Sequence, residues 1–295
     1  MPDLPPITRW DVPGPRALVH IVHGMAEYGA RYGRLAAALN EAGYAVWAHD
    51  HRGHGAHMDT GGTGHFGDEG GWEALVQEAH DVSLALRHAY PGVPLALFAH
   101  SMGSFVGQTL IARYGRDYDA AVLCGSNGPP GALEDAGRLL ARAERWWRGA
   151  RTPSTWVQQA VFGSYNRDFA PTRTDLDWLS RDPAEVDAYI AEPRCGFPLT
   201  TQAWVDFLEG KSVLGEEALL RRIPTELPIH LIAGDADPVG ERGRGVRRLH
   251  DVYVGVGLTR VTLRLYPGAR HELVNETNRD EVTADLIAWL GGVTN

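Results

Sequence analysis

The sequence predicts an α/β fold: a mostly parallel, doubly wound sheet with helices on both faces and an inserted helical cap. Three observations carry this expectation. Short apolar runs alternate with helical patterns from Ala17 to Cys124, the alternation breaks between about Asn127 and Ser212, and it resumes from Leu227 almost to the C-terminus. Strands that are nearly continuously apolar and separated by helices belong to a parallel sheet covered on both faces. At 295 residues the chain is long for one core and short for two ordinary enzymes, so a core interrupted by an insertion fits the length. The expected division is a core of residues 1–127 and 213–295 with a helical cap at 128–212.

The elements follow in order. "ALVHIVHG" reads as a buried strand, "RYGRLAAALNEAG" as a helix ended by Gly43, and "YAVWAHD" as the next strand. After a loop rich in Gly and His comes "GWEALVQEAHDVSLALRHAY", a long amphipathic helix. Then "VPLALFAHS" is a strand, "MGSFVGQTLIARYG" a helix and "AAVLCGS" a strand. Late in the chain "LPIHLIAGD", the helical "ERGRGVRRLHDVYVGVG", the strand "VTLRLYP" and the helical "DEVTADLIAWL" restore the alternation. The intervening segment carries "PPG", "TPST", "APTRT" and "SRDPAE" with short helical patterns between them. Its aromatics include Trp146, Trp147, Trp156, Phe162, Tyr165, Phe169, Trp178, Tyr189, Phe197, Trp204 and Phe207. Most of these read as packing residues, but a lid over a ligand must present some of its surface to that ligand.

Composition narrows the function classes. With 44% apolar and 22% charged residues, and no apolar run of the ~18 residues that a membrane span needs, a soluble globular protein is expected. The opening "MPDLPPITRWDVPGPR" lacks a basic stretch followed by an apolar one, so a cytoplasmic location is expected. Cys124 and Cys195 are too few for a disulfide framework and read as small buried hydrophobes. A formal charge of −9 opposes capture of nucleic acid, and the arginines of "RLLARAERWWRGAR" alternate with aliphatics at helical spacing instead of forming a basic block.

The chemistry concentrates in "LALFAHSMGSFVG". A strand ends near Ala99, Ser101 follows, and a helix begins at once. Such a strand-turn-helix forces its central residue into a strained backbone that lifts the side chain off the sheet edge. The residues two before and two after must be small; here they are Ala99 and Gly103, giving Ala-x-Ser-x-Gly where Gly-x-Ser-x-Gly is usual. The helix N-terminus and the free amide of Met102 favour negative charge beside the serine. The same serine would also suit a plain N-cap. Two further segments decide against that. "IAGDADPVG" places Asp235 and Asp237 at the carboxyl edge of a late strand, and "YPGARHELVNE" places His271 on the loop after the last strand. Ser, Asp, His is the chain order expected when this machinery is built on a doubly wound sheet, and all three loops lie where such sheets bind ligands.

At this point the sequence resembles the α/β-hydrolases of the monoacylglycerol lipase and lysophospholipase group, which is similar to the serine aminopeptidases. "HGMAEYGARYGRL" resembles the family's oxyanion stretch, Asp50 to Gly55 its Asp-x-Arg-Gly-His-Gly turn, His100 to Gly103 its "HSMG" elbow, and "GDADPV" and "HELVNE" its acid and base segments. The resemblance runs from about His20 to the C-terminus. Tyr28 stands where a histidine is common and Ser104 where a glycine is common, and both departures bear on the shape of the entrance. The resemblance implies Ser101 as nucleophile, His271 as base and Asp237 as its acid, with the amides of Met25 and Met102 as the oxyanion hole. Asp235 is the lesser candidate, suited to capping its loop. Glu27, Tyr28, Arg52 and His100 are the polar residues expected near substrate.

One other motif competes. His49, His51 and His54 reproduce the H-x-H-x-x-H frame of a dinuclear metallohydrolase, but Gly53 occupies the position where a ligating Asp is needed. Scaffolding beneath the active site is therefore favoured, and no metal or cofactor is expected. His20, His23, His65, His80, His88, His230 and His250 fall outside the position of a base after the last strand. The expected function is hydrolysis of medium-chain acyl esters or monoacylglycerols through an acyl-enzyme, the aromatic cap favouring an acyl chain by about 0.8 kcal/mol per buried methylene. The alternatives are a lysophospholipase and a cap-covered serine aminopeptidase in which Glu185, Asp187 or Glu192 would hold the free amine. A non-catalytic binding protein is disfavoured because serine and histidine are intact, and a dehalogenase because it needs a carboxylate at the elbow. The expected partner is a small acyl ester, with transient contact between the cap and a lipid surface.

Overall fold

The computed structural model describes residues 4–294. Among the described residues seven strands form one sheet: β1 (Ile7–Trp10), β2 (Ala17–Val22), β3 (Tyr44–His49), β4 (Leu95–His100), β5 (Ala120–Cys124), β6 (Ile229–Gly234) and β7 (Val261–Tyr266). Their order across the sheet is β1-β3-β2-β4-β5-β6-β7. All neighbours are parallel except β1, which runs antiparallel to β3 with Ile7 opposite His49 and Trp10 opposite Val46. The periodicity reading misses β1 because "ITRW" is short, lies among prolines and covers only the outer edge of β3.

The helices are α1 (Gly33–Glu41), α2 (Met58–Gly61), α3 (Gly71–Ala89), α4 (Met102–Tyr114), α5 (Ala132–Arg148), α6 (Trp156–Phe162), α7 (Pro183–Ala191), α8 (Thr201–Ser212), α9 (Glu217–Leu220), α10 (Arg244–Gly255) and α11 (Arg279–Val293). Every residue of β2 through β6 is buried, as apolar strands sandwiched between two helical layers must be. Alternate side chains split between the faces. Leu18, Leu95, Leu97, Leu123 and Leu231 pack with α3, α4 and α10, while Val19, Val46, Phe98, Val122 and Ile232 pack with α1 and α11. This is the α/β-hydrolase fold. No helix among the described residues is long and apolar enough to cross a membrane.

Between β5 and β6 the chain leaves the sheet and forms α5 through α9. Local chemistry sets these helices: Asp182 accepts from Ala184 N ahead of Pro183 at the start of α7, and Thr200 accepts from Ala203 N at the start of α8. The insert is tied back to the core beside His271, where His271 N donates to Trp178 O and Glu272 N to Leu179 O. Arg181 adds an ion pair to the fully buried Glu276, 2.8 Å apart.

Candidate active site

Ser101 is the turn between β4 and α4, and its backbone adopts φ 53° and ψ −123°, a conformation that a side chain tolerates only under outside constraint. The constraint is visible. Ser101 N donates to Cys124 O on the neighbouring strand at 3.0 Å, and α4 lies so close to β2 that a Cβ at Gly103 would come within 2.3 Å of Val22 O. The small residue that the sequence pattern demands at 103 is therefore required by backbone, which has nowhere to move. Gly107, one turn further along α4, meets Ala99 in the same way, a requirement outside the five-residue motif.

The structure brings Ser101, His271 and Asp237 together. Ser101 Oγ lies 2.8 Å from His271 Nε2, and His271 Nδ1 lies 3.0 Å from Asp237 Oδ2. Nδ1–H donating to the carboxylate leaves Nε2 to accept from the serine hydroxyl. Asp237 is fully buried and its second oxygen accepts from Val239 N at 2.9 Å. Burial alone would push the His271 imidazole down, but the charge and hydrogen bond of Asp237, with Glu272 and Glu27 behind, hold it above its ordinary value. Asp235 instead accepts from Gly268 N at 2.6 Å and caps the loop that carries His271.

Met25 and Met102 line the same cavity as Ser101. Ser101 sits directly before α4, so the Met102 amide is one of the helix N–H groups without an intrahelical partner. Met25 precedes Ala26, which also has a positive φ of 53° and whose carbonyl accepts from Gly196 N and Tyr189 Oη of the insert.

The four side chains expected to touch substrate are absent from the cavity lining, and each has a structural partner. Glu27 is buried, accepts from Gly24 N at 2.5 Å and Tyr32 Oη at 2.8 Å, and pairs with Arg31 at 2.6 Å. Tyr28 Oη donates to Glu192 at 3.2 Å, and Arg52 Nε donates to Glu78 on α3 at 2.7 Å. His100 is buried with its ring centroid 4.8 Å from that of His271, and burial followed by that neighbouring charge lowers it to about 3. Glu27 and His100 thus turn inward beneath the motif, while Tyr28 and Arg52 stay partly exposed and are held aside by carboxylates.

The sequence reading missed two sets of residues. One is a buried bridge: Arg31 reaches Glu27 on the loop after β2 and, through both guanidinium nitrogens, Glu272 beside His271 at 2.8 and 2.9 Å. Burial disfavours both charges and lifts Glu27, while bidentate Arg31 holds Glu272 down to about 2. The i, i+4 spacing of Glu27 and Arg31 was a readable signal; the long-range partner was not. The other set lines the cavity of about 640 Å³ above Ser101. Phe105, Leu140, Val161, Phe162, Trp204 and Phe207 make it largely apolar, while Asn127, Glu134, Lys211 and Glu241 supply polar lining. Lys211 lies over the Phe105 ring at 4.7 Å and 3.4 Å from Glu134, and Arg248 holds Glu241 through both oxygens.

The histidine run does not converge on a site. Gly53 has φ +70°, and a Cβ there would come within 2.4 Å of His65 N, so the ligating Asp of a metal frame has no room. Asp50 accepts from Gly29 N at 2.8 Å and Ala56 N at 2.9 Å, binding two loops under the site.

Comparison with known proteins agrees with this geometry. The chain belongs to the family described as serine aminopeptidase, S33, whose model matches residues 13–278. It is 29% identical to the monoacylglycerol lipase of Mycolicibacterium smegmatis over 94% of this chain and 88% of that protein. It is 37% identical to a monoglyceride lipase homolog of Monkeypox virus over 94% of this chain and 90% of the viral protein. A highly thermostable carboxyl esterase from Bacillus coagulans, solved with glycerol, superposes with a TM-score of 0.90 at 28% identity, covering 98% of this chain and 94% of its own. The chain is a serine hydrolase of the α/β-hydrolase fold, similar to monoacylglycerol lipases and carboxylesterases.

Proposed function

We propose that the protein hydrolyses carboxylic esters of medium-chain acyl groups, with monoacylglycerols as the preferred class. The observation that carries this is the 2.8 Å contact of Ser101 Oγ with a buried His271–Asp237 pair, on the floor of a cavity lined mainly by apolar side chains. His271 removes the serine proton, the alkoxide attacks the ester carbonyl, and Asp237 stabilises the imidazolium that forms. The amides of Met25 and Met102 receive the oxyanion, a role in which one donor is typically worth about a hundredfold to a thousandfold in rate. The imidazolium then protonates the departing alcohol, and a water deprotonated by His271 releases the acid. The insert serves as the cap, its aromatics holding the acyl chain. Glu134, Lys211 and Asn127 suit hydroxyl groups of a glycerol end.

The alternatives fit less well. A lysophospholipid headgroup brings negative charge to a cavity where two carboxylates, Glu134 and Glu241, stand with Lys211. For an aminopeptidase, Glu185, Asp187 and Glu192 lie outside the lining and are engaged by Arg34, Arg173 and Tyr28. Glu134 and Glu241 do face the cavity, yet each already has a cation beside it. The test is hydrolysis of a p-nitrophenyl ester series from acetate to palmitate, alongside monoacylglycerols and an amino-acid p-nitroanilide, with and without chelator. A peak at medium chains, indifference to chelator and a loss of at least about a thousandfold in Ser101→Ala are expected. Turnover of the anilide above the esters, or activity retained in Ser101→Ala, would overturn the reading.

A further inference from the structure

The run Ala48–His57 carries histidines that ester hydrolysis leaves without a part, and two of them, His49 and His51, belong to one continuous buried series. Tyr118 Oη lies 2.8 Å from Ser83 Oγ, which lies 2.8 Å from His20 Nδ1. His20 Nε2 lies 2.9 Å from His49 Nδ1, His49 Nε2 lies 3.2 Å from His51 Nδ1, and His51 Nε2 lies 3.2 Å from the carbonyl oxygen of His23. The three imidazoles come from β2, the end of β3 and the loop beyond it, while Ser83 is on α3 and Tyr118 precedes β5.

The last acceptor fixes the direction of the whole series. A carbonyl only accepts, so His51 Nε2 carries its proton, and a neutral imidazole has a single N–H. His51 Nδ1 must therefore accept from His49 Nε2–H, His49 Nδ1 from His20 Nε2–H, and His20 Nδ1 from the Ser83 hydroxyl, which it shares with Ala79 O at 3.1 Å and which accepts from Tyr118. Burial keeps the imidazoles neutral, lowering His20 to about 3 and His49, His51 and His23 well below their ordinary value, with neighbouring imidazoles adding to the effect on the last three.

At its far end the series grips the loop that carries Met25. His51 N donates to His23 Nε2 at 3.0 Å, so His23 bears its proton on Nδ1 and donates to Gly24 O at 2.7 Å. His51 on His23 O and Glu27 on Gly24 N, at 2.5 Å, fix the His23–Gly24 peptide from both sides, and His23 Nδ1 on Gly24 O fixes the next one. In a planar trans peptide the N–H points opposite to the C=O, so fixing Gly24 O fixes the direction of the Met25 N–H.

We propose that His20, His49 and His51 are positioning residues for the oxyanion hole: their one-way hydrogen-bond series holds His23 O, the His51 amide sets the tautomer of His23, and the two together set the orientation of the Met25 amide. This rests on the reading that the Met25 amide receives the oxyanion. Preorganisation of such a donor matters in the transition state and little in substrate binding, so the effect falls on kcat.

Two measurements test it. In the intact protein labelled with 15N-histidine, NMR at pH 7 is expected to show Nε2–H on His20, His49 and His51, Nδ1–H on His23, and no charged form among them. An Nδ1–H on His51 would overturn the proposal without any variant. In kinetics, His51→Leu removes the donor to His23 O, whereas the amide nitrogen of His51→Gln takes the place of Nε2. The Leu variant is expected to lose about tenfold or more in kcat at nearly constant KM, and the Gln variant to stay within about threefold of wild type. Equal kcat in the two variants, or a loss confined to KM, would overturn the positioning role while ester hydrolysis stands. A wild type inert toward every ester would remove the functional reading and leave the tautomer pattern to stand by itself. Should the Leu variant fail to fold, the tautomer spectrum decides.

Discussion

The sheet and the insert solve opposite problems around one cavity. Residues of β2 through β6 are buried without exception, and near their carboxyl ends buried charges are paired, Asp237 with His271 and Arg31 between two carboxylates. In the insert, Trp146 is 86% exposed and Trp147 67%, and ion pairs such as Arg142–Glu209 lie open to solvent. Both regions line the cavity, the core with Met25, Ser101 and Met102, the insert with Phe162, Trp204 and Phe207. The difference assigns the work. Ser101, His271 and Asp237 sit where packing allows one arrangement, whereas the insert joins a lining helix, α8, that is buried as the core is, to α5, whose outer face lies open to solvent.

The largest effect should follow from breaking the tightest core contact. Asp237→Asn is expected to lower kcat on a medium-chain ester by about four orders of magnitude, since the amide favours the wrong tautomer of His271. The same variant tests the electrostatics. His271 must be neutral to act as base, and its pKa is raised above 6.5, so kcat/KM of the wild type should fall as pH drops through a value above 6.5. Without the carboxylate, burial is left to act and the acid limb should move to lower pH. A limb that stays in place would show that Asp237 does not set it.

The next contrast is between ion pairs. Arg31→Met leaves Glu27 and Glu272 buried together without their cation and should destabilise the fold by about 3–5 kcal/mol in urea titrations near neutral pH. The loss should shrink as pH falls, because uncompensated buried carboxylates bind protons more readily than they do in the unfolded chain. Arg142→Met in the insert removes a pair whose side chains are 58% and 43% exposed, so about 0–1 kcal/mol is expected. Similar losses in the two variants would erase the distinction between the regions.

The same division governs what could be read from the chain. Six of the seven strands and the helices between them were legible: complete burial imposes unbroken apolar runs on β2 through β6, and β7, open on one face, shows the alternation of a half-buried edge strand. Ala99, Ser101 and Gly103 were legible because a strained turn leaves few permitted residues. Asp237 and His271 were legible from order and position after their strands. Contacts that join distant segments were not. Nothing local in "HELVNE" reveals that Glu272 meets Arg31, and nothing in Lys211 reveals that its ammonium lies over Phe105 inside the cavity. Glu27, Tyr28, Arg52 and His100 lie outside the cavity lining, and nearness to a motif in sequence says little about which way a loop turns its side chains. In the insert, aromatic content was visible but its partition was not, since Trp204 is fully buried and Trp146 almost fully exposed at similar local composition.

That partition frames the smallest and most region-specific effect. Leu139, Trp146 and Trp147 are exposed on α5, Trp147 stacks on Trp156 at 5.2 Å, and Gly137 and Leu140 of the same helix face the cavity. One helix thus offers apolar surface outward and cavity lining inward, and amphipathic indoles are suited to a lipid–water boundary. Combining Trp146→Ala with Trp147→Ala should change stability by no more than about 0.5 kcal/mol, as surface substitutions do. Hydrolysis of a water-soluble p-nitrophenyl ester should be unaffected. Hydrolysis of a monoacylglycerol carried in lipid vesicles should fall several-fold, together with co-sedimentation on those vesicles. If vesicle-borne and dissolved substrates respond equally, the exposed indoles play no part in reaching lipid, and the insert differs from the core only in how loosely it is packed.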